Sequence, residues 1–154
     1  GWDEILEGGL APGAIVQSWR GMDGGIIAAN AKHEVIMSPT SHAYFDYYQS
    51  DDRDKEPLAI GGFLSLEKVY QFEPIPDDIE QEKIKYILGG QGNVWTEYIN
   101  TPQKVEYMAI PRMSAMAEVL WSKKSDRDFE SFKERMKWQY KRLDLMKVNY
   151  RKES

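Results

Sequence analysis

The sequence predicts an α/β fold with parallel strands, about half of a (β/α)8 TIM barrel, and three observations carry that prediction. Short apolar runs alternate with helical stretches in the order β-α-β-α-β-α, and parallel neighbours need such crossover helices. Aromatic and acidic residues follow several different strands, the placement from which barrel enzymes build their sites; an open doubly wound sheet meets the element order but not this spread as well. A complete barrel takes roughly 250 residues and eight units, whereas this chain has 154 residues and shows three strands plus the end of a fourth at Gly1-Trp2.

Ala14-Ile15-Val16-Gln17-Ser18-Trp19 is an apolar run of strand length, followed by a turn with Gly21, Gly24 and Gly25 and by a helical stretch over residues 26–32. Glu34-Val35-Ile36-Met37 is a second strand, closed by Ser38-Pro39. The polar loop beyond it, through Tyr44, Asp46 and the charged residues 51–56, is longer than a plain connection needs. Residues 66–72 read as a short helix ended by Pro74 and Pro76. Tyr86-Ile87-Leu88-Gly89-Gly90 leads through a Gly-rich turn into Asn93-Val94-Trp95, the expected third strand region.

Residues 101–121 are expected to be helical and interrupted at Pro111, because proline removes a backbone donor and crowds the preceding turn. Ser125 and Asp128 have capping-box-like spacing before the last helix, along which Phe129, Phe132, Met136, Leu143 and Met146 form an apolar stripe. No linker or repeat divides the chain, so residues 1–154 read as one structural unit.

A formal net charge of -5 and a pI near 5.1 argue against a general phosphate-binding surface, and hence against nucleic acid as a partner. No apolar run reaches the length of a membrane span. Cysteine is absent, which removes disulfides and thiolate metal sites and leaves the redox compartment open. His33 and His42 have no nearby ligand pattern, so no metal is expected; His33 reads as a helix-end residue and His42 as a loop residue at a pocket rim. Gly89-Gly90-Gln91-Gly92 lacks the Lys-Ser/Thr of a phosphate loop and precedes a strand, so it reads as a turn and no nucleotide cofactor is implied.

Four motifs stand where strands end: Gly1-Trp2-Asp3-Glu4-Ile5, Gln17-Ser18-Trp19-Arg20-Gly21, Tyr44-Phe45-Asp46 and Trp95-Thr96-Glu97. Aromatics alternating with acids suit a sugar, because ring faces cover the apolar C–H surface while carboxylates accept from hydroxyls. A single tryptophan is more often packing than ligand contact. Trp121 and Trp138, on helices and without a matching acid, are assigned to packing between helices, whereas Trp2, Trp19 and Trp95 share the strand-end location. A solvated loop acid is the plainer alternative for Asp46 and for Glu97; Glu97 follows Trp95 by two residues and shares its strand-end direction.

Gly-Trp-Asp-Glu-Ile, Gln-Ser-Trp-Arg-Gly, Ser-Pro-x-x-x-x-Tyr-x-Asp over residues 38–46 and Gly-x-x-x-x-Trp-Thr-Glu over residues 90–97 resemble, in order, successive landmarks of family 20 glycoside hydrolases, the β-N-acetylhexosaminidases. Residues 66–76 and Pro111-Arg112-Met113-Ser114-Ala115-Met116-Ala117-Glu118 also resemble that family, so the likeness covers nearly the whole chain. It implies the C-terminal half of the catalytic barrel and hydrolysis of terminal N-acetylglucosamine or N-acetylgalactosamine by substrate assistance, in which the 2-acetamido oxygen attacks the anomeric carbon.

By the same resemblance, Trp2, Trp19 and Trp95 wall the acetamido pocket, the catalytic Tyr44 donates its phenol proton to the acetamido carbonyl, and Asp46 and Glu97 accept from ring hydroxyls. The family's catalytic Asp-Glu pair follows a His-x-Gly-Gly context that is absent here, as is the arginine expected near the first strand. Asp3 and Glu4 are therefore assigned to local structure, with contacts to Arg20 or a helix start. The isolated chain is expected to be inactive, and its expected partners are an N-acetylhexosamine-containing glycan and the remainder of the barrel, or a second copy covering the open strand edges. The resemblance favours a periplasmic or secreted location. Two rivals stand beside this reading: a carbohydrate-binding module using the same aromatics, and a barrel hydrolase in which Glu4, Asp46 or Glu97 act in a two-carboxylate retaining mechanism.

Overall fold

Val16-Gln17-Ser18 and Val35-Ile36-Met37 each alternate buried, half-buried, buried, the signature of strands with one face on a core. In the computed structural model, which describes residues 1–152, they are β1 (Val16–Ser18) and β2 (Val35–Met37), joined by helix α1 (Asp23–Asn30). With β3 (Ile87–Gly90) they form a parallel sheet in the order β1-β2-β3. The register pairs Val16 with Val35 and Ser18 with Met37, then Val35 with Ile87 and Met37 with Gly90. Trp2 bridges Gln17 in parallel, so the expected strand end at Gly1-Trp2 is present as a bridge beside β1.

This sheet belongs to the first of two compact units, Gly1–Ala43 with Glu73–Gly92; the second comprises Tyr44–Phe72 with Asn93–Ser154. Val16, Val35, Met37, Ala28 and Ala29 form the core of the first unit. Helix α1 begins where Ser18 turns the chain, its hydroxyl accepting from the Gly25 amide at 3.0 Å and donating to the Gly21 carbonyl at 2.7 Å. Gly25 lets the helix approach the sheet closely: a Cβ there would stand 2.5 Å from the end of Met37 and 3.0 Å from Val35. His33 lies past the end of α1, its Nδ1 3.1 Å from the Ala14 carbonyl oxygen.

Two expectations change in this unit. The third strand is Ile87–Gly90, not Asn93 to Trp95: the glycines taken for a turn are themselves paired with Ile36 and Met37. His42 lies in a four-residue helix, α2 (Thr40–Ala43), rather than in a loop, because Pro39 and the residues after it turn helically.

The second unit is mostly helical. Helix α3 (Leu66–Tyr70) is capped by Ser65, whose hydroxyl accepts from the Lys68 amide, and α4 (Pro102–Ala109) by Thr101, with Pro102 in the first turn where its missing N–H costs nothing. Pro111 separates α4 from α5 (Arg112–Trp121), the interruption expected of it. Asp128 caps α6 (Phe129–Leu145) through the Ser131 amide at 2.6 Å, and Ser125 takes no part in the cap. Rings of Tyr70, Phe129 and Phe132 cluster at 4.9 to 6.1 Å between centroids. The Tyr70 hydroxyl donates to Glu118 at 2.7 Å and accepts from the Asp128 amide at 2.9 Å, tying α3, α5 and the start of α6.

Three apolar residues are not where the pattern put them. Trp121 is 90% exposed and Trp138 68% exposed. Each stands two positions after a buried residue, Val119 and Met136, and two steps of about 100° carry a side chain to the opposite side of a helix. Met146 is 71% exposed because the helix stops at Leu145 and Lys147 turns left-handed, so the stripe of Phe132, Met136 and Leu143 ends before it.

Candidate functional site

In the first unit Trp19 follows the last residue of β1 and Trp2 bridges Gln17 beside it, and both are half-buried. Trp19 is held at two edges. Its main-chain amide donates to Asp3 Oδ2 at 3.0 Å, and its indole N–H donates to Glu4 Oε1 at 2.9 Å. Asp3 is buried, and its carboxylate also takes the Arg20 amide at 3.2 Å and the Arg20 Nε–H at 2.7 Å. Asp3 and Glu4 thus make local contacts with Arg20 and Trp19, and those contacts fix the Trp19 side chain.

Tyr44, Asp46, Trp95 and Glu97 are gathered in the second unit. Tyr44 forms a parallel bridge with Asn93, and the Phe45 amide donates to the Asn93 carbonyl at 2.7 Å. The two segments then run on together: the Trp95 amide donates to the Asp46 carboxylate, and the Glu97 charge acts on it. Tyr44 is buried, with its ring 5.8 Å from that of Tyr47.

Asp46 is only 4% exposed, while Trp95 is 41% exposed and Glu97 is open to solvent. Of the two acids Asp46 is therefore the one enclosed by the second unit. Burial raises the Asp46 carboxyl above its ordinary range and the Glu97 charge adds to this, against lowering by its own and the Trp95 amides and by Arg112. Among the described residues Asp46 Oδ1 has no hydrogen-bond partner although it is buried. A buried acceptor without a donor is costly to keep, and a hydroxyl-bearing ligand supplies such a donor.

Arg112 was not singled out from the sequence as a site residue. It is fully buried at the start of α5, and its guanidinium donates to four main-chain carbonyls: Phe45 at 2.6 Å, Tyr47 at 3.1 Å, Leu64 at 3.0 Å and Met108 at 2.6 Å. Its sequence signal is a charged residue directly after a helix-breaking proline in an otherwise apolar stretch. Among the described residues no group of three or more His, Cys, Asp or Glu side chains is placed to hold a metal ion.

Comparison with known proteins adds a family to this geometry. The model of the glycosyl hydrolase family 20 catalytic domain matches residues 1–124. The β-hexosaminidase of Porphyromonas gingivalis is 50% identical over 151 residues, which are 97% of this chain and 19% of that protein. A β-N-acetylhexosaminidase of Cellulomonas fimi is 35% identical over 142 residues, 88% of this chain and 28% of that one. Among solved structures, the family 20 exo-β-N-acetylglucosaminidase of Vibrio harveyi in complex with N-acetylglucosamine superposes with a TM-score of 0.86 at 34% identity, covering 99% of this chain and 24% of that one. The chain therefore spans less than a third of the length of these curated relatives.

Proposed function

The chain belongs to glycosyl hydrolase family 20, and from that premise we propose that it carries the acetamido-sugar pocket of an exo-acting β-N-acetylhexosaminidase. The observation that carries the reading is the cluster of Tyr44, Asp46, Trp95 and Glu97, aligned by the Tyr44–Asn93 bridge and the Trp95 amide on Asp46. The named relatives are hexosaminidases, and one solved relative holds N-acetylglucosamine. The parallel sheet with its crossover helix speaks against the binding-module rival.

In this reading the family likeness assigns Trp2, Trp19 and Trp95 to apolar contact with the acetamido methyl and the underside of the ring. The Tyr44 phenol donates to the acetamido carbonyl oxygen, aiming it at the anomeric carbon. As that oxygen bonds to the carbon and the glycosidic C–O bond breaks, the phenol stabilises the oxazolinium-like intermediate. Water then opens the ring and retains the β configuration. Asp46 and Glu97 accept hydrogen bonds from ring hydroxyls and fix a terminal sugar.

The proton for the leaving oxygen comes from outside these residues: Asp3 and Glu4 are engaged by Arg20 and Trp19. The 154 residues alone are thus a pocket-bearing part of a longer hydrolase. Hydrolysis of a chromogenic N-acetyl-β-glucosaminide and of the matching β-glucoside by the complete protein tests the proposal. Cleavage of the acetamido sugar alone is expected; comparable cleavage of both sugars rejects substrate assistance in favour of the two-carboxylate rival.

A further inference from the structure

We infer that Arg112 is a positioning residue for the sugar pocket, holding Asp46 in place through the main chain on either side of it. The inference rests on the reading of Asp46 as an acceptor for ring hydroxyls. The two carbonyls that bracket Asp46, those of Phe45 and Tyr47, both accept from the Arg112 guanidinium, at 2.6 and 3.1 Å. The other two anchor that guanidinium to separate parts of the unit, the Leu64 carbonyl beside the Tyr48–Phe63 bridge and the Met108 carbonyl near the end of α4. Four carbonyls from three segments converge on one planar donor fork. A lysine ammonium, with three donors on a flexible stem, cannot reproduce that geometry.

Charge gives Arg112 a second hold on the same acid. The charged and titratable groups that act on Arg112 are Glu56, Asp46, Arg151 and Tyr107. Glu56 is already engaged, by Arg151 at 2.8 Å and by the Tyr107 hydroxyl at 3.2 Å. Asp46 is the second acid whose charge acts on Arg112, after Glu56. Around Asp46 itself stand Glu97, Arg112 and Tyr47, of which Arg112 alone favours the ionised carboxylate. Burial pulls the guanidinium down to about 9, which leaves it protonated wherever a carboxylate titrates. Removing this cation makes Asp46 take up its proton at higher pH, and a protonated Asp46 has lost acceptor capacity for a sugar hydroxyl.

The test uses the complete protein with Arg112→Lys, Arg112→Met, Asp46→Asn and the double variant Arg112→Lys/Asp46→Asn. KM and kcat for a chromogenic N-acetyl-β-glucosaminide, and affinity for N-acetylglucosamine, are followed as pH is lowered. Arg112→Lys is expected to raise KM about tenfold, the worth of one charge-assisted hydrogen bond, with little change in kcat and with the acid-side loss of affinity at the wild-type pH. Arg112→Met is expected to move that loss to higher pH.

If Arg112→Met does not fold, the double variant decides: with Asp46 already neutral, Arg112→Lys should add much less than tenfold to KM. A folded Arg112→Lys protein with wild-type KM, or KM effects that multiply in the double variant, overturns the inference. If Asp46→Asn raises KM and Arg112→Lys does not, only the role of Arg112 fails. If Asp46→Asn leaves KM unchanged, the assignment of Asp46 fails and the inference falls with it.

Discussion

Glu4 holds Trp19 by its indole edge, Oε1 accepting from the Nε1–H at 2.9 Å, while Asp3 holds the same residue by its main-chain amide at 3.0 Å. Two consecutive acids that resemble a catalytic pair at first sight thus fix the orientation of Trp19, the side chain proposed to wall the acetamido pocket. An exposed hydrogen bond of this kind contributes about 1 kcal/mol, enough to select one ring orientation. Glu4→Ala is expected to raise KM for the acetamido substrate about fivefold and leave kcat unchanged, as steady-state kinetics on the complete protein will show. A fall in kcat of orders of magnitude would instead make Glu4 an acid-base catalyst.

Asp46 places function and stability in opposition. Its carboxyl is raised above the ordinary range by burial and by Glu97, so the folded state binds its proton more tightly than the unfolded state does. The associated stabilisation is full below the unfolded pKa and is lost as pH rises through the folded one. At neutral pH the ionised carboxylate therefore costs stability. Asp46→Asn is expected to raise the melting temperature at pH 7, with the gain vanishing as pH falls below the carboxylate range, while KM rises about tenfold or more. Thermal unfolding at several pH values, set beside KM, checks both halves.

Gly62 supports the same segment from outside. It has a φ of +63°, and a Cβ built there would lie 2.4 Å from the ring of Tyr47, the residue after Asp46. Gly62→Ala therefore meets a left-handed backbone and a collision with a half-buried ring, and is expected to cost about 2 kcal/mol. Denaturant unfolding measures this; a change within about 0.5 kcal/mol would mean that the loop gives way freely.

The parts of the fold that rest on neighbours in sequence were legible. The glycine turn into α1 and the break at Pro111 follow from residues a few positions apart, whereas the cap of α6 falls on Asp128 alone and not on the Ser125–Asp128 pair. What escaped depends on distant partners. Gly89 and Gly90 look like a turn until β2 pairs with them. Trp121 and Trp138 look like core until the buried faces of their helices are known. The six proposed pocket residues were read from strand ends and family likeness, but the greater burial of Asp46 depends on chain far from it, and Arg112 became visible only through the carbonyls of Phe45, Tyr47 and Leu64, far from it in sequence.

Tyr44 is buried and fixed by its bridge to Asn93, so its phenol oxygen can be removed with little change of shape. Tyr44→Phe is expected to lower kcat about 100-fold or more, the usual loss of one preorganised donor to a developing charge, with a smaller change in KM. A loss confined to KM would leave Tyr44 a binding residue only.

The most direct measurement compares kcat of the complete protein on N-acetyl and N-trifluoroacetyl β-glucosaminides with the same leaving group. Fluorine withdraws electrons from the amide oxygen, so if that oxygen is the nucleophile the trifluoroacetyl substrate must react far more slowly. Equal rates on the two substrates would contradict substrate assistance, and with it the role given to Tyr44.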